Sequence, residues 1–218
     1  MRAPNSPQNE ATRSALLEAA APIFARDGFQ IARIREIAEA AGANLSAINY
    51  HFGSKEGLYK AVLGYTAQLA IDSHPLLPQT SLVLTAPERF RTLVGNMLRR
   101  FVDVETPSLM ARLMVREMAN PTLALDTIIE TASKPQFAIV SELIAELLGP
   151  AATEERIRHC TLSLMGQVVF YLFGRPLVSR LFPQTYHEKN IQQLEHHIAE
   201  FSLAGIQVYR DQVETRSE

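Results

Sequence analysis

Residues 34–55 read IREIAEAAGANLSAINYHFGSK, and this stretch decides the fold. It predicts two short helices joined by a tight turn at Gly42. The first presents Ile34, Ile37, Ala38 and Ala41 on one face; the second starts at Asn44 and contributes Leu45, Ile48 and Phe52. Asn44 suits that start because its side chain can accept from the free N–H groups of a first helical turn. Ala38, Ala40, Ala41, Ala43 and Ala47 are small enough for two helices to cross steeply at the elbow. Such a pair can place the start of its second helix in the major groove of DNA, although an ordinary helical hairpin shares the bare pattern.

The polar residues separate the two readings. Asn49, Tyr50 and His51 cluster near the end of a helix too short to need them for packing, and Ser54 then caps a further helix whose first turn carries Lys55. Tyr, His and Lys can donate hydrogen bonds to phosphate oxygens, and the free N–H groups of a helix start suit an anion.

Outward from this core, three segments carry a specific likeness: ATRSALLEAAAPIFARDGF, RIREIAEAAG and NLSAINYHFGSKEGLYKAVL. From about Thr12 to Leu63 the chain resembles the DNA-binding domain of the TetR family of bacterial regulators. The wording INYHFGSKEGLY, with MVREMANPT further on, resembles the subgroup typified by CecR. The resemblance implies that Leu45, Ser46, Ala47 and Asn49 face base edges, and that Arg33, Tyr50, His51 and Lys55 hold phosphates. Ser46 and Asn49 can hydrogen-bond there, while Leu45 and Ala47 can meet thymine methyls. Two departures from the family pattern stand out. Ala32 and Ala47 stand where many relatives have a hydroxyl residue, the loss at 32 weakening the expected cap of the second helix, and Asn49 replaces an aromatic, turning a phosphate contact into a base contact. The operator is therefore this protein's own.

The composition is compatible with that reading without announcing it. The chain has 218 residues, enough for a small reader and a larger companion, and a net charge of -2. Residues 1–60 carry seven Lys/Arg against six Asp/Glu, and the remainder fourteen against seventeen, an asymmetry of the right sign but small. Arg13, Arg33, Arg35 and Lys55 are placed to concentrate positive charge on one face. The single cysteine, Cys160, cannot form an intrachain disulfide, which favours a reducing cytoplasm. The polar, proline-broken start MRAPNSPQN is no signal peptide, and no apolar run approaches the roughly 20 residues of a membrane span.

The expected fold is all-α, with Pro and Gly as punctuation between helices. Residues 1–9 form a flexible arm and 10–74 a helix-turn-helix domain that includes a fourth, connecting helix. Residues 75–210 form a helical effector-binding and dimerisation domain, and 211–218 a flexible tail. The first helix is expected to stop at Asp27-Gly28, the fifth to cover about 87–103, and Thr106-Pro107 to open the sixth. A short helix over about 122–131 precedes a longer one from Pro135 to Leu148. Another then runs from Thr153 to Phe173, followed by a connector to Pro183 and a last helix over about 187–210.

The two last long helices carry apolar seams. Ile191, Leu194, Ile198, Phe201, Gly205 and Val208 are spaced 3, 4, 3, 4, 3. Ile157, Leu164, Val168 and Tyr171 form a comparable row, and Gly166 and Gly205 permit close helix approach. Both seams fit either the chain's own core or a twofold mate. The family resemblance implies the mate, packed as a four-helix bundle. A dimer would set two readers about 34–36 Å apart on a pseudo-palindrome.

Met97, Phe101, Met110, Met114, Met118, Phe137, Phe170 and Phe173 offer soft, adaptable lining for a cavity, with Arg116, Glu117 and Gln167 as polar partners. Each is also a plausible core or ion-pairing residue. The resemblance implies a small-molecule effector. His196 and His197 point about 100° apart on a helix and assemble no metal site, and His159 beside Cys160 is no nucleophile pair. No phosphate loop or nucleophile elbow is present, so neither an enzyme nor a cofactor is expected. The sequence thus predicts a cytoplasmic, dimeric DNA-binding regulator, most simply a repressor released by its effector. An activator or dual regulator would use the same parts. A helical ligand-binding or scaffold protein of the same fold that does not bind DNA is the rival class.

Overall fold

The computed structural model describes residues 7–101 and 108–217. Among them every regular element is helical: α1 (Pro7–Ile31), α2 (Ile34–Ala40), α3 (Leu45–Phe52), α4 (Lys55–Ser73), α5 (Ala86–Phe101), α6 (Leu109–Ala119), α7 (Ala124–Ile128), α8 (Lys134–Leu148), α9 (Glu154–Phe173), α10 (Arg175–Leu181) and α11 (Glu188–Ser217). No single helix among the described residues is long and apolar enough to cross a membrane.

The chain forms two compact units. The first joins the described residues up to Leu69 with Leu109–Ala132; the second comprises the described residues of Ala70–Ser108 and Ser133–Glu218. The expected boundary at residue 74 therefore differs from the observed clustering, which is discontinuous because α6 and α7 bury Leu113, Ala124 and Ile128 among the side chains of α1–α4. The first unit's core holds Leu16, Phe24, Ile37, Ile48, Leu58 and Tyr59, with the Phe24 ring edge-on to Tyr59 at 4.9 Å.

Helix α1 is broken at Gly28, whose φ of 77° and ψ of 171° lie in a region essentially closed to residues bearing a Cβ. The stop predicted at Asp27-Gly28 is thus present, with one further turn to Ile31 beyond it. The turn after α2 is a Schellman motif. Gly42 N–H donates to the Glu39 carbonyl at 3.1 Å and Ala43 N–H to Ala38 at 2.9 Å, satisfying the end of the helix.

In the second unit α5, α8, α9 and α11 pack around Phe90, Leu93, Leu98, Ile144, Leu164, Val168 and Ile198. Ion pairs fasten α5 to its neighbours: Arg89 to Glu146, Arg91 to Glu200 at 2.6 Å and Arg99 to Glu195 at 2.8 Å.

Several boundaries differ from expectation. A 3-10 segment, Gln79–Val83, occupies the predicted loop, and a π-helical turn over Ile129–Ser133 joins α7 to α8 without a gap. The Gly174–Pro183 connector holds the seven-residue α10. Helix α11 continues through the predicted polar tail as far as Ser217. Residues 1–6 of the expected arm, the Thr106-Pro107 start and Glu218 lie outside the described residues.

Candidate nucleic-acid interface

Helix α3 is short, and its N-terminal exposed edge is built by Asn44. The Asn44 Oδ1 accepts from Ala47 N–H at 2.9 Å and from the Ser46 hydroxyl at 2.7 Å. Only Ile48 is buried on this helix. Ser46 and Asn49 are exposed and Leu45 and Ala47 half-exposed, so the four base-reading candidates share an accessible helix start. Ser46 spends its proton on the cap and keeps its oxygen lone pairs as acceptors.

The phosphate candidates follow at the far end. Tyr50 is 73% exposed, and its ring stands edge-on to His51 at 5.0 Å. Arg33 is exposed at the cap position of α2, where it makes no side-chain cap bond; the cap expected at position 32 falls one residue earlier, on buried Ala32. Arg33 and Arg35 form no ion pair among the described residues, whereas Arg26 is held by Asp27 and Glu36 at 2.7 and 2.6 Å. Arg13 lies over the Phe52 ring at 5.6 Å. Lys55 differs from the free phosphate donor expected. Its ammonium donates to the Gln30 carbonyl at 3.0 Å and lies 5.1 Å from the Phe29 ring centroid. Partial burial lowers its pKa from the ordinary lysine value. Two of its three N–H groups remain available to another acceptor.

Ser54 caps α4 as predicted, its hydroxyl accepting from Gly57 N–H at 3.1 Å. Gly57 went unnoticed in sequence. A Cβ there would lie 2.0 Å from the Phe52 carbonyl oxygen, so the end of α3 can rest on the first turn of α4 only with glycine at that position.

MVREMANPT also has a structural meaning within this unit. Arg116 Nε donates to the Ala25 carbonyl at 3.0 Å and Nη2 to the Arg26 carbonyl, a cationic cap on the last turn before the α1 break. Glu117, buried, accepts from the Tyr59 hydroxyl at 3.0 Å and from Thr122 through N–H and Oγ1 at 2.7 and 2.9 Å. Burial, then the Glu117 bond, raises the Tyr59 phenol well above the usual tyrosine range. Arg116 and Glu117, two of the three polar residues expected at the effector site, are thus engaged in positioning the reader helices.

The remaining effector candidates fall into separate places. Met97 is buried in the core of the second unit, with Phe101 packed against that core, and Phe137 is half-buried. Met114 packs in the first unit, and Met118 is exposed on α6. Gln167 and Phe170 line an open groove between α9 and α11, of about 560 Å³, with Gly166, His197 and Phe201. There Gln167 donates to the Ser202 hydroxyl at 3.1 Å. The seams divide similarly. Leu164, Val168, Ile191, Leu194 and Ile198 enter the chain's own core, and Ile157 and Tyr171 pack against it. Phe201 is 65% exposed and Val208 55%, and a Cβ on Gly205 would meet nothing. Leu162, half-exposed on α9, joins this face and was not foreseen. No cluster of three potential metal ligands exists among the described residues.

A capped, exposed helix start set on a compact three-helix core, flanked by arginines that make no ion pair among the described residues, is the geometry of a helix-turn-helix DNA reader. Residues 16–62 match the model of the bacterial regulatory proteins of the tetR family, and residues 86–206 match the C-terminal domain of the HTH-type transcriptional dual regulator CecR. The CecR of Shigella flexneri is 28% identical over 180 residues, covering 78% of this chain and 80% of its own. The transcriptional repressor NicS of Pseudomonas putida is 43% identical over 56 residues, 26% of each chain. A TetR-family regulator from Mesorhizobium loti superposes with a TM-score of 0.68 at 17% identity, covering 92% of this chain and 97% of that one. The chain belongs to the TetR family and carries a C-terminal domain of the CecR type. It is a DNA-binding transcriptional regulator, and its fold and family are not those of enzymes.

Proposed function

We propose that the protein works in the cytoplasm as a homodimer on a pseudo-palindromic operator, and that it is a repressor released from that operator by a small-molecule effector. The observation that carries the dimer is the open α9/α11 groove. Phe170 and Phe201 line it, with Leu162 and Val208 on the same exposed faces and glycines where close approach needs them. A single eight-residue reader helix spans too few base pairs for a unique site, and a twofold mate doubles the information. The effector would enter among the helices of the second unit, near Met97, Phe101 and Phe137. It would have to prefer the non-binding arrangement by roughly 5.5 kcal/mol to move the population from almost fully bound to almost fully released.

A second reading has its own support: the relative that matches most of the chain is named a dual regulator. The two readings differ in where the operator lies. Footprinting on the promoters the protein controls tests this, with transcription measured alongside. Protection overlapping the promoter with derepression on deletion supports the repressor. Protection upstream of the promoter, with lower transcription on deletion, supports activation.

A further inference from the structure

Helix α5 carries four arginines, and their environments are inverted from what solvation favours. Arg89, Arg91 and Arg99 each pair with a glutamate on another helix although all three retain access to solvent. Arg100 is only 6% exposed, and no carboxylate among the described residues pairs with it. Its Nε donates to the His74 carbonyl at 2.6 Å and its Nη1 to the Gln136 side-chain oxygen at 2.6 Å. Its Nη2 is buried without a hydrogen-bond partner among the described residues. A buried cation ordinarily has a counter-charge, because dipoles alone replace its lost hydration incompletely. Here the His74 carbonyl, just past the end of α4, and the Gln136 amide oxygen supply part of that replacement. Burial still lowers the guanidinium pKa to about 10, which leaves it charged at neutral pH.

We infer that Arg100 is the anion-recognising residue of the effector site, and that the effector is an organic monocarboxylate whose carboxylate oxygens accept from the free Nη2 of Arg100. One guanidinium nitrogen matches one negative charge, and planar guanidinium–carboxylate pairing is strong and directional. Met97 lies one helical turn before Arg100, Phe101 follows it, and Phe137 follows Gln136, so an apolar body has soft and aromatic neighbours on both helices. The arginine expected to do this, Arg116, has its guanidinium committed to the α1 carbonyls. The inference rests on the effector-response reading and names its ligand chemistry.

The test is thermal unfolding of the full chain with benzoate, hexanoate and decanoate, each beside its primary amide, followed by release of operator DNA by the same compounds. At least one carboxylate is expected to raise the unfolding midpoint where its amide does not. Arg100→Gln should weaken that response roughly 10- to 100-fold, the loss of one or two charge-assisted bonds, and Arg100→Lys should retain part of it. The ligand-free Arg100→Gln protein should unfold at the same or a higher temperature, since the variant removes a buried charge that no described carboxylate neutralises. If no carboxylate outperforms its amide, or Arg100→Gln responds as strongly as the native chain, the assignment is overturned. Carboxylate binding that depends on Arg100 but leaves the DNA complex intact would uphold the assignment and sink effector release instead.

Discussion

The Arg116 guanidinium occupies the space beside Gly28 that any side chain would need: a Cβ at Gly28 would lie 3.2 Å from Arg116 Nη1. Arg116 caps the carbonyls of Ala25 and Arg26 just before the backbone breaks at Gly28. The end of α1 is therefore fixed by a residue about 90 positions away in sequence, and Lys55 pins the next carbonyl stretch at Gln30.

Gly28→Ala should destabilise the first unit by about 1–3 kcal/mol, because a Cβ is forced into a glycine-only conformation. Arg116→Ala should cost about 1 kcal/mol through the lost helix-end cap. Urea unfolding of both single variants and the double variant measures the coupling. Strict additivity would mean that the guanidinium does not act through the α1 break.

Tyr59 and Glu117 give the first unit a pH limit. The folded-state pKa of Tyr59 is raised, so the native state holds that proton more tightly than the unfolded chain. The stabilisation is complete below the ordinary tyrosine pKa of about 10 and is lost as pH rises towards the folded value. Tyr59→Phe should lower stability at neutral pH by about 1–2 kcal/mol and flatten the alkaline decline. An alkaline limb of unchanged slope in Tyr59→Phe would assign the loss to other groups.

His51 and Lys55 should separate by experiment. His51→Ala is expected to weaken binding to every duplex and flatten its salt dependence without changing the unfolding midpoint. Lys55→Ala should do the same and also unfold earlier, because its ammonium holds the Gln30 carbonyl. Equal stability of the two variants would remove the structural role given to Lys55.

Phe201→Glu places a charge in the open α9/α11 groove and should yield folded monomers. Sedimentation would show the native mass halved, with helical content retained. A Phe201→Glu protein that still sediments as a dimer would move the interface off this face.

The local parts of this architecture were legible in sequence because their causes are local. Asn44 and Ser54 announce helix starts by their own side-chain chemistry, and Gly42 and Gly28 mark ends that need an unusual backbone. The positions missed depend on partners far along the chain or on close approach. Glu117 reaches Tyr59 across 58 residues, and Gly57 is dictated by a neighbouring carbonyl, not by its own helix. The seam over 191–208 has one continuous period, yet Ile191, Leu194 and Ile198 enter the core while Phe201 and Val208 remain exposed. Periodicity identifies an apolar face but carries no information about which molecule covers it.

The most direct measurement is fluorescence anisotropy of the full chain with duplex DNA from immediately upstream of its own gene, beside a scrambled duplex, at two salt concentrations. A dimeric reader predicts tight binding to the native duplex, two protomers per site and a steep loss of affinity as salt rises. Asn49→Ala should shift the sequence preference and leave the salt slope in place. One protomer per site with an Asn49→Ala profile identical to the native one would contradict both the dimer and the assigned reading helix.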